Sequence, residues 1–238
     1  MKIDILAIVA HPDDAELSCG GTLAKHADLG YKTGVIDLTE GELGTRGSVE
    51  IRHEEATEAS KILGLSVREN MKFRDGWFKD DEEHQLKIIN RVRFYQPDII
   101  ITNATKERHP DHARAANLVK EAAWLAGLAK IETLQDGESQ KPWRPRHVYH
   151  IIQSDALTPD FIVDISGYVD RKIKAIKAYS SQFYNPQSDE PETYLSRSTF
   201  LGLIESRNVS MANYGMIEHA EGFISAYKPA VKNIFDLI

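Results

Sequence analysis

Apolar positions in the first half of the chain alternate between short continuous runs and helical repeats. Ile3–Ala10 is apolar throughout except for Asp4, the pattern of a strand buried on both faces of a parallel sheet. A helical stretch covers about Gly20–Leu29, with Gly30 placed to end it. Thr33–Leu38 reads as a second strand. Glu50–Leu63 returns to helical spacing, with Ala56, Ala59 and Leu63 on one face and Gly64 as a stop. A weaker strand over Val67–Phe73 is followed by a helix over Glu82–Tyr95, which turns Leu86, Ile89 and Val92 inward and ends before Pro97. Ile99–Thr102 is a strand, and Ala115, Leu118, Val119, Ala122 and Leu125 mark a helix that begins near Asp111. This alternation predicts an α/β fold with a doubly wound, mostly parallel sheet. Beyond it the pattern loosens into a modified carboxyl-terminal portion. There His147–Ile152 and Phe161–Ile165 read as strands, Tyr168–Tyr179 and Ser198–Asn213 as helices, and 133–146 and 185–197 as loops. Phe223, Ile224 and Tyr227 are assigned to the core.

Composition narrows the class. The 238 residues, 42% hydrophobic and 27% charged, form a single domain over 1–238. Cys19 is the only cysteine, which excludes an intrachain disulfide and any multi-cysteine metal or redox centre. A reducing, cytoplasmic setting is expected. The net charge of −7 and the lack of a basic stripe argue against a nucleic-acid partner. Arg171, Lys172, Lys174 and Lys177 accompany an apolar face of Val169, Ile173 and Ile176, so they read as a solvated helix surface. The amino-terminal apolar run is too short for a membrane span and has no signal-peptide cleavage pattern, so no membrane partner is expected.

Chemistry concentrates in two tetrads. His11-Pro12-Asp13-Asp14 directly follows the first strand, and His109-Pro110-Asp111-His112 follows Ile99–Thr102. Open α/β sheets bind ligands beyond the carboxyl ends of their strands, so neighbouring strands would bring both tetrads to one crevice. His11, Asp14 and His112 make a three-ligand set with room for water, as in catalytic zinc sites. Asp13 and His109 then remain as base and acid beside the metal. The same two-histidine, one-carboxylate set also holds non-haem iron. A plainer alternative makes Asp13, Asp14 and Asp111 helix caps; the occurrence of two such tetrads weighs against capping alone. Gly20-Gly21-Thr22 fits neither phosphate-loop pattern, and its glycines are expected to let a helix pack close to the metal loop. Cys19 has no base partner nearby in sequence and reads as packing.

AHPDD at a strand end, then GGT, then HPDH opening a helix resemble the LmbE-like (PIG-L) de-N-acetylase family. The stretch TEGELGTRGSVEIRHEEATEASKILGL is similar to its bacillithiol branch, the N-acetylglucosaminyl-L-malate deacetylases. The resemblance implies a Rossmann-like fold and a Zn2+-dependent hydrolase, with Fe2+ as an alternative ion, that deacetylates a small amino-sugar conjugate. It implies zinc ligands His11, Asp14 and His112, general base Asp13, and His109 as the residue that protonates or stabilises the intermediate. It also implies substrate contacts by Arg52 and an oxyanion-assisting tyrosine, with Tyr194 as counterpart, and self-association into a homo-oligomer. Without the resemblance, Arg52 reads as a helix-surface arginine paired with neighbouring acids such as Glu55; Arg46, Glu42 and Arg108 are further wall candidates. An anionic aglycone such as malate predicts a cationic pocket, whereas a neutral chitooligosaccharide predicts an aromatic groove that would recruit Trp77, Trp124 or Trp143. A non-catalytic metal- or sugar-binding protein would have no need of Asp13 and His109.

Overall fold

The computed structural model describes residues 1–236. The first half alternates as expected: β1 (Ile5–Val9), α1 (Asp14–Asp28), β2 (Thr33–Thr39), α2 (Val49–Leu63), β3 (Val67–Phe73), α3 (Glu82–Tyr95), β4 (Ile99–Thr102) and α4 (Pro110–Leu125). A small hairpin, β5 (Leu134–Gln135) and β6 (Glu138–Ser139), precedes β7 (His147–Ile151) and β8 (Phe161–Asp164). Then come α5 (Val169–Lys177), α6 (Phe200–Ala212) and β9 (Ala220–Ser225). The main sheet runs β3-β2-β1-β4-β7-β9-β8. Its first five strands are parallel, and β9 lies antiparallel between β7 and β8. The modified carboxyl-terminal portion is this antiparallel extension with α6 packed against β9.

Strand periodicity builds a core on each face. Leu6 and Ile8 of β1 face a cluster with Ile88, Ile89 and Val92 of α3 and Leu118 and Val119 of α4. Ile5, Ala7 and Val9 point the other way, onto Ala15, Cys19 and Leu23 of α1. On that face α1, α2 and α5 pack on one another through residues such as Leu17, Ala59, Leu63 and Ile176. Two glycine-type stops act as read from sequence: Gly64 caps α2 at φ +76° and Gly30 follows α1 at φ +89°. No helix among the described residues is long and apolar enough to cross a membrane.

Four local expectations change. Helix α1 begins at Asp14, six residues before the expected start near Gly20, because only the four-residue turn Ala10, His11, Pro12 and Asp13 separates it from β1. Residues 134–139 form a hairpin within the expected loop. Phe223 is buried on β9, whereas Tyr227 is exposed. Lys172, read as solvated, is fully buried, with Nζ 2.6 Å from Glu221 and 3.2 Å from Asn208 Oδ1. It shares a helix face with Ala175 and Ile176, and a buried partner carboxylate makes a lysine tolerable there.

Gly21 packs against Ile165 rather than against the tetrad: a Cβ there would meet Ile165 at 2.9–3.0 Å, whereas one on Gly20 has nothing closer than 3.6 Å. Gly21→Ala is therefore expected to destabilise the protein by about 1–2 kcal/mol, overpacking outweighing helix propensity. Gly20→Ala is expected to stabilise it by up to about 1 kcal/mol. Urea unfolding of the two variants checks both signs.

Candidate active site

β1 and β4 are paired neighbours, Leu6 opposite Ile100 and Ile8 opposite Thr102. From β1 the chain winds outward through β2 on one side, and β4 opens the other side, so the crevice at their carboxyl ends is a topological switch point. His11, Asp13 and Asp14 leave β1 there. Asp13 is held at φ 117°, ψ −25°, a conformation costing about 1–3 kcal/mol for a residue with a Cβ. It occupies the N-cap position of α1, yet its side chain caps nothing. His109 occupies the N-cap of α4 with Pro110 just inside the helix.

Asp14 joins the two tetrads. Its Oδ2 accepts from the backbone N–H of His11 at 3.1 Å and from Asn103 Nδ2 at 3.0 Å. Its Oδ1 accepts from Gln153 Nε2 at 2.9 Å and lies 3.2 Å from His112 Nε2. Asn103 directly follows β4; its Oδ1 takes the Ala10 N–H at 2.8 Å and its amide also donates to Gln153 Oε1 at 3.1 Å. Gln153 follows β7. Three adjacent strand ends therefore fix one carboxylate. Although burial opposes its ionisation, the charges and hydrogen bonds of His112 and His11 hold the Asp14 carboxyl well below the usual carboxylate range.

His11 is buried between two acidic surroundings. Nδ1 lies 3.5 Å from Asp14 Oδ2; Nε2 lies 3.2 Å from Asp75 Oδ1 and 3.5 Å from Asp111 Oδ2. Burial alone would favour the neutral ring, but bonds to Asp111, Asp14 and Asp75 raise its pKa well above the ordinary value. The surroundings thus favour positive charge. A bound cation would displace the proton on Nδ1: with Nε2–H kept on Asp75, Nδ1 would be free to ligate beside Asp14, the carboxylate–histidine arrangement that orients metal ligands. His112 Nδ1 is buried without a hydrogen bond. Ring nitrogens of His11, His109 and His112 lie within 4.8 Å of one another, and a second group of His11, Asp75 and Asp111 is equally tight. These imidazole and carboxylate donors fit a divalent cation of borderline hardness.

Asp13 and His109 flank this cluster. Burial pushes the Asp13 carboxyl up to about 7, Arg52 opposing the rise and Asp14 adding to it. Its Oδ2 is buried without a hydrogen bond, with Arg52 Nη2 at 3.5 Å. Arg52 is itself buried, and its Nη1 lies where a Cβ on Gly41 would sit. It does not pair with Glu55, whose carboxylate takes Ser180 and Ser181. His109 Nδ1 accepts the Asp111 N–H at 3.3 Å, which places the proton of the neutral ring on Nε2. Burial, and then the charges of His11 and His112, lower its pKa.

All five tetrad residues named from sequence line one cavity of about 790 Å³, together with Arg52, Arg108 and Tyr194. Two guanidiniums approach the Tyr194 ring, Arg108 at 4.3 Å and Arg197 at 5.8 Å from its centroid. Arg46 and Glu42 are not wall residues. Arg46 donates to the Ser181 carbonyl and ties down 185–197 through Ser188 and Pro191, and Glu42 accepts the Asp75 N–H. None of the three tryptophans lines the cavity. Cys19 is fully buried, and burial pushes its thiol pKa up. Sequence reading missed Asp75, Asn103, Gln153 and Arg207. The one available signal was position: the first three lie within two residues of strand carboxyl ends, where an α/β sheet places its ligands.

The PIG-L family model, described as GlcNAc-PI de-N-acetylase, matches residues 6–123, which hold both tetrads. A solved structure, the conserved protein TT1542 from Thermus thermophilus, is 34% identical and superposes with a TM-score of 0.86 over 98% of each chain. The chain belongs to the PIG-L family. It is accordingly an enzyme of a family with hydrolytic members. Its similar curated relatives include diacetylchitobiose deacetylase of Thermococcus kodakarensis, 29% identical over 80% of this chain and 74% of that protein. A second is 4-oxalmesaconate hydratase of Pseudomonas putida, 27% identical over 96% and 91%. A third is a probable N-acetyl-α-D-glucosaminyl L-malate deacetylase of Bacillus anthracis, 26% identical over 75% and 81%.

Gln153→Ala removes one donor to Asp14 while keeping the Ala10–Asn103 clamp. It is expected to weaken divalent-metal binding about 10–100-fold with little change in unfolding temperature. Competition against a chromogenic chelator measures this.

Proposed function

We propose that this PIG-L enzyme is a zinc-dependent amidohydrolase that removes the acetyl group from an N-acetylglucosamine conjugate, N-acetylglucosaminyl-L-malate first among them. On this reading residues 1–238 act as one cytoplasmic catalytic domain. The observation that carries it is the free, buried carboxylate oxygen of Asp13 beside a histidine–aspartate donor cluster. A metal site alone needs no such group; water activation does.

His11, Asp14 and His112 would hold the ion, which supplies Lewis acidity to the amide carbonyl and acidity to a water. The chain's own residues do the rest. Asp13 Oδ2 takes the proton of the attacking water, and its raised pKa suits a base that must later release that proton. Arg52 keeps the carboxylate in place and limits the penalty of its charge. His109 presents Nε2–H as a hydrogen-bond donor to the developing oxyanion, while the Asp111 N–H on Nδ1 fixes its orientation. The proton that Asp13 took from the water then passes to the departing nitrogen, which leaves Asp13 ionised again. Protonation of nitrogen is needed because a free amide anion is a very poor leaving group. Tyr194, which lines the same cavity, would contribute to substrate contact.

The anionic conjugate is favoured over a neutral oligosaccharide because arginines, and no tryptophan, line the cavity. A second reading, hydration of an unsaturated polycarboxylate, is favoured by the extent of the likeness to the hydratase. The same base could deliver water to a carbon–carbon double bond.

The test is to incubate zinc-loaded and chelated protein with N-acetylglucosaminyl-L-malate, N,N'-diacetylchitobiose and 4-oxalmesaconate. Chelator-sensitive amine release, fastest from the malate conjugate, is expected. Hydration without amine release would replace the deacetylase reading with the second one. Asp13→Ala is expected to lower turnover by about 10²–10⁴-fold while elemental analysis still finds the wild-type metal content. Retained turnover would remove Asp13 from the role of base.

A further inference from the structure

Arg207 projects from α6 to the carboxyl end of β7. Its Nη1 donates to the carbonyls of Ile152 and Gln153 at 3.0 and 2.7 Å. Those bonds occupy one of three guanidinium nitrogens. Among the described residues, no carboxylate lies within 4.0 Å of Arg207, and its Nε and Nη2 have no protein partner. Neither nitrogen is among the sealed, unsatisfied atoms, and the residue lines the cavity. The wall around it includes Ile152, Leu203 and Met211. Burial lowers its pKa, and Glu107 and Tyr194 offset this only in part. Glu107 acts on Arg207 only from beyond 4.0 Å: its two oxygens are held by the Arg108 N–H at 2.8 Å and the Ser154 N–H at 2.7 Å.

A guanidinium set into a largely apolar wall without a counter-ion is costly unless a ligand supplies one. Arg108 adds a second cation to the same cavity: it is stacked on Tyr194, and among the described residues its side chain has no carboxylate within 4.0 Å. Arg52, by contrast, faces Asp13. The cavity therefore has one arginine that serves the base and two that lack anions.

We propose that Arg207, with Arg108, forms an anion subsite that takes an oxyanion on the aglycone of the substrate, a carboxylate or a phosphate. Guanidinium forks suit both through paired N–H bonds. This inference rests on the deacetylase reading for the reaction, but not for the binding of the anion itself.

The experiment compares wild type, R207Q, R207K and R108Q, all zinc-loaded, on N-acetylglucosaminyl-L-malate, N-acetylglucosamine 1-phosphate and neutral methyl N-acetylglucosaminide. The readout is the ratio of kcat/KM for each anionic conjugate to that for the neutral one. Calorimetric binding of L-malate and of inorganic phosphate accompanies it. The wild type is expected to favour at least one anionic conjugate tenfold or more, and the better of the two identifies the anion. R207Q is expected to cut that ratio at least tenfold through KM, R207K to recover part of it, and R108Q to cut it at least threefold.

Loss of the brace on Ile152 and Gln153 would lower all substrates together. An unchanged ratio in R207Q therefore overturns the subsite, whatever the absolute rates. Should R207Q fail to fold, an unchanged ratio in R108Q does the same. Turnover of all substrates without anionic preference overturns the subsite and leaves the deacetylase standing. Arginine-dependent binding of malate or phosphate without amine release keeps the subsite and removes the deacetylase reading.

Discussion

Asp14 ties the carboxyl ends of three strands to one another. Its carboxylate takes the His11 N–H from β1, Asn103 from β4 and Gln153 from β7, and it faces the imidazoles of His11 and His112. Because β1 and β4 are hydrogen-bonded neighbours, tetrads almost a hundred residues apart in sequence become one cluster. A buried carboxylate is costly without partners; here the partners also aim the donors of the site. Removing the neighbour relation of β1 and β4 would leave each tetrad as an ordinary capped turn.

The helix that carries Asp14 is fixed from both sides by buried charge. Arg68 of β3 forks onto Asp37 at 2.8 and 2.9 Å and reaches Glu16 on the first turn of α1, which also accepts from Tyr179. Farther along, Glu221 of β9 accepts the N–H groups of Gly21 and Thr22 while paired with Lys172 of α5. Such pairs add little net stability compared with apolar packing, but they penalise any displacement that separates them. They hold α1 in register beneath Asp13, whose strained backbone needs a rigid setting. The antiparallel extension of the sheet serves the site as well, since β9 brings Glu221 and α6 brings Arg207.

Local patterns explain what could be read before the structure. The two tetrads are contiguous, and the strands before them are short apolar runs, so their chemistry and their placement at strand ends were both legible. The positioning groups were not. Asn103 and Gln153 are single polar residues whose meaning comes from pairing across strands, and Asp75 reaches His11 from 64 positions away. Lys172 was misread because helical periodicity marks a face, whereas its burial depends on a glutamate 49 residues distant. β9, AEGFIS, escaped notice because Glu221 and Gly222 break the apolar alternation, and each is needed there: one for the Lys172 pair, the other where Met211 packs closest. Arg52, which helical spacing alone would put on the surface beside Glu55, is instead buried, lines the cavity and faces Asp13.

On the proposed reading His11 uses its two ring nitrogens differently: Nδ1 would serve a metal held with Asp14 and His112, while Nε2 faces Asp75. Anomalous diffraction at the zinc edge from zinc-loaded crystals tests it directly. One fully occupied peak is expected beside His11 Nδ1, Asp14 and His112 Nε2. A peak on the other face of the ring, among Nε2, Asp75 and Asp111, would contradict it.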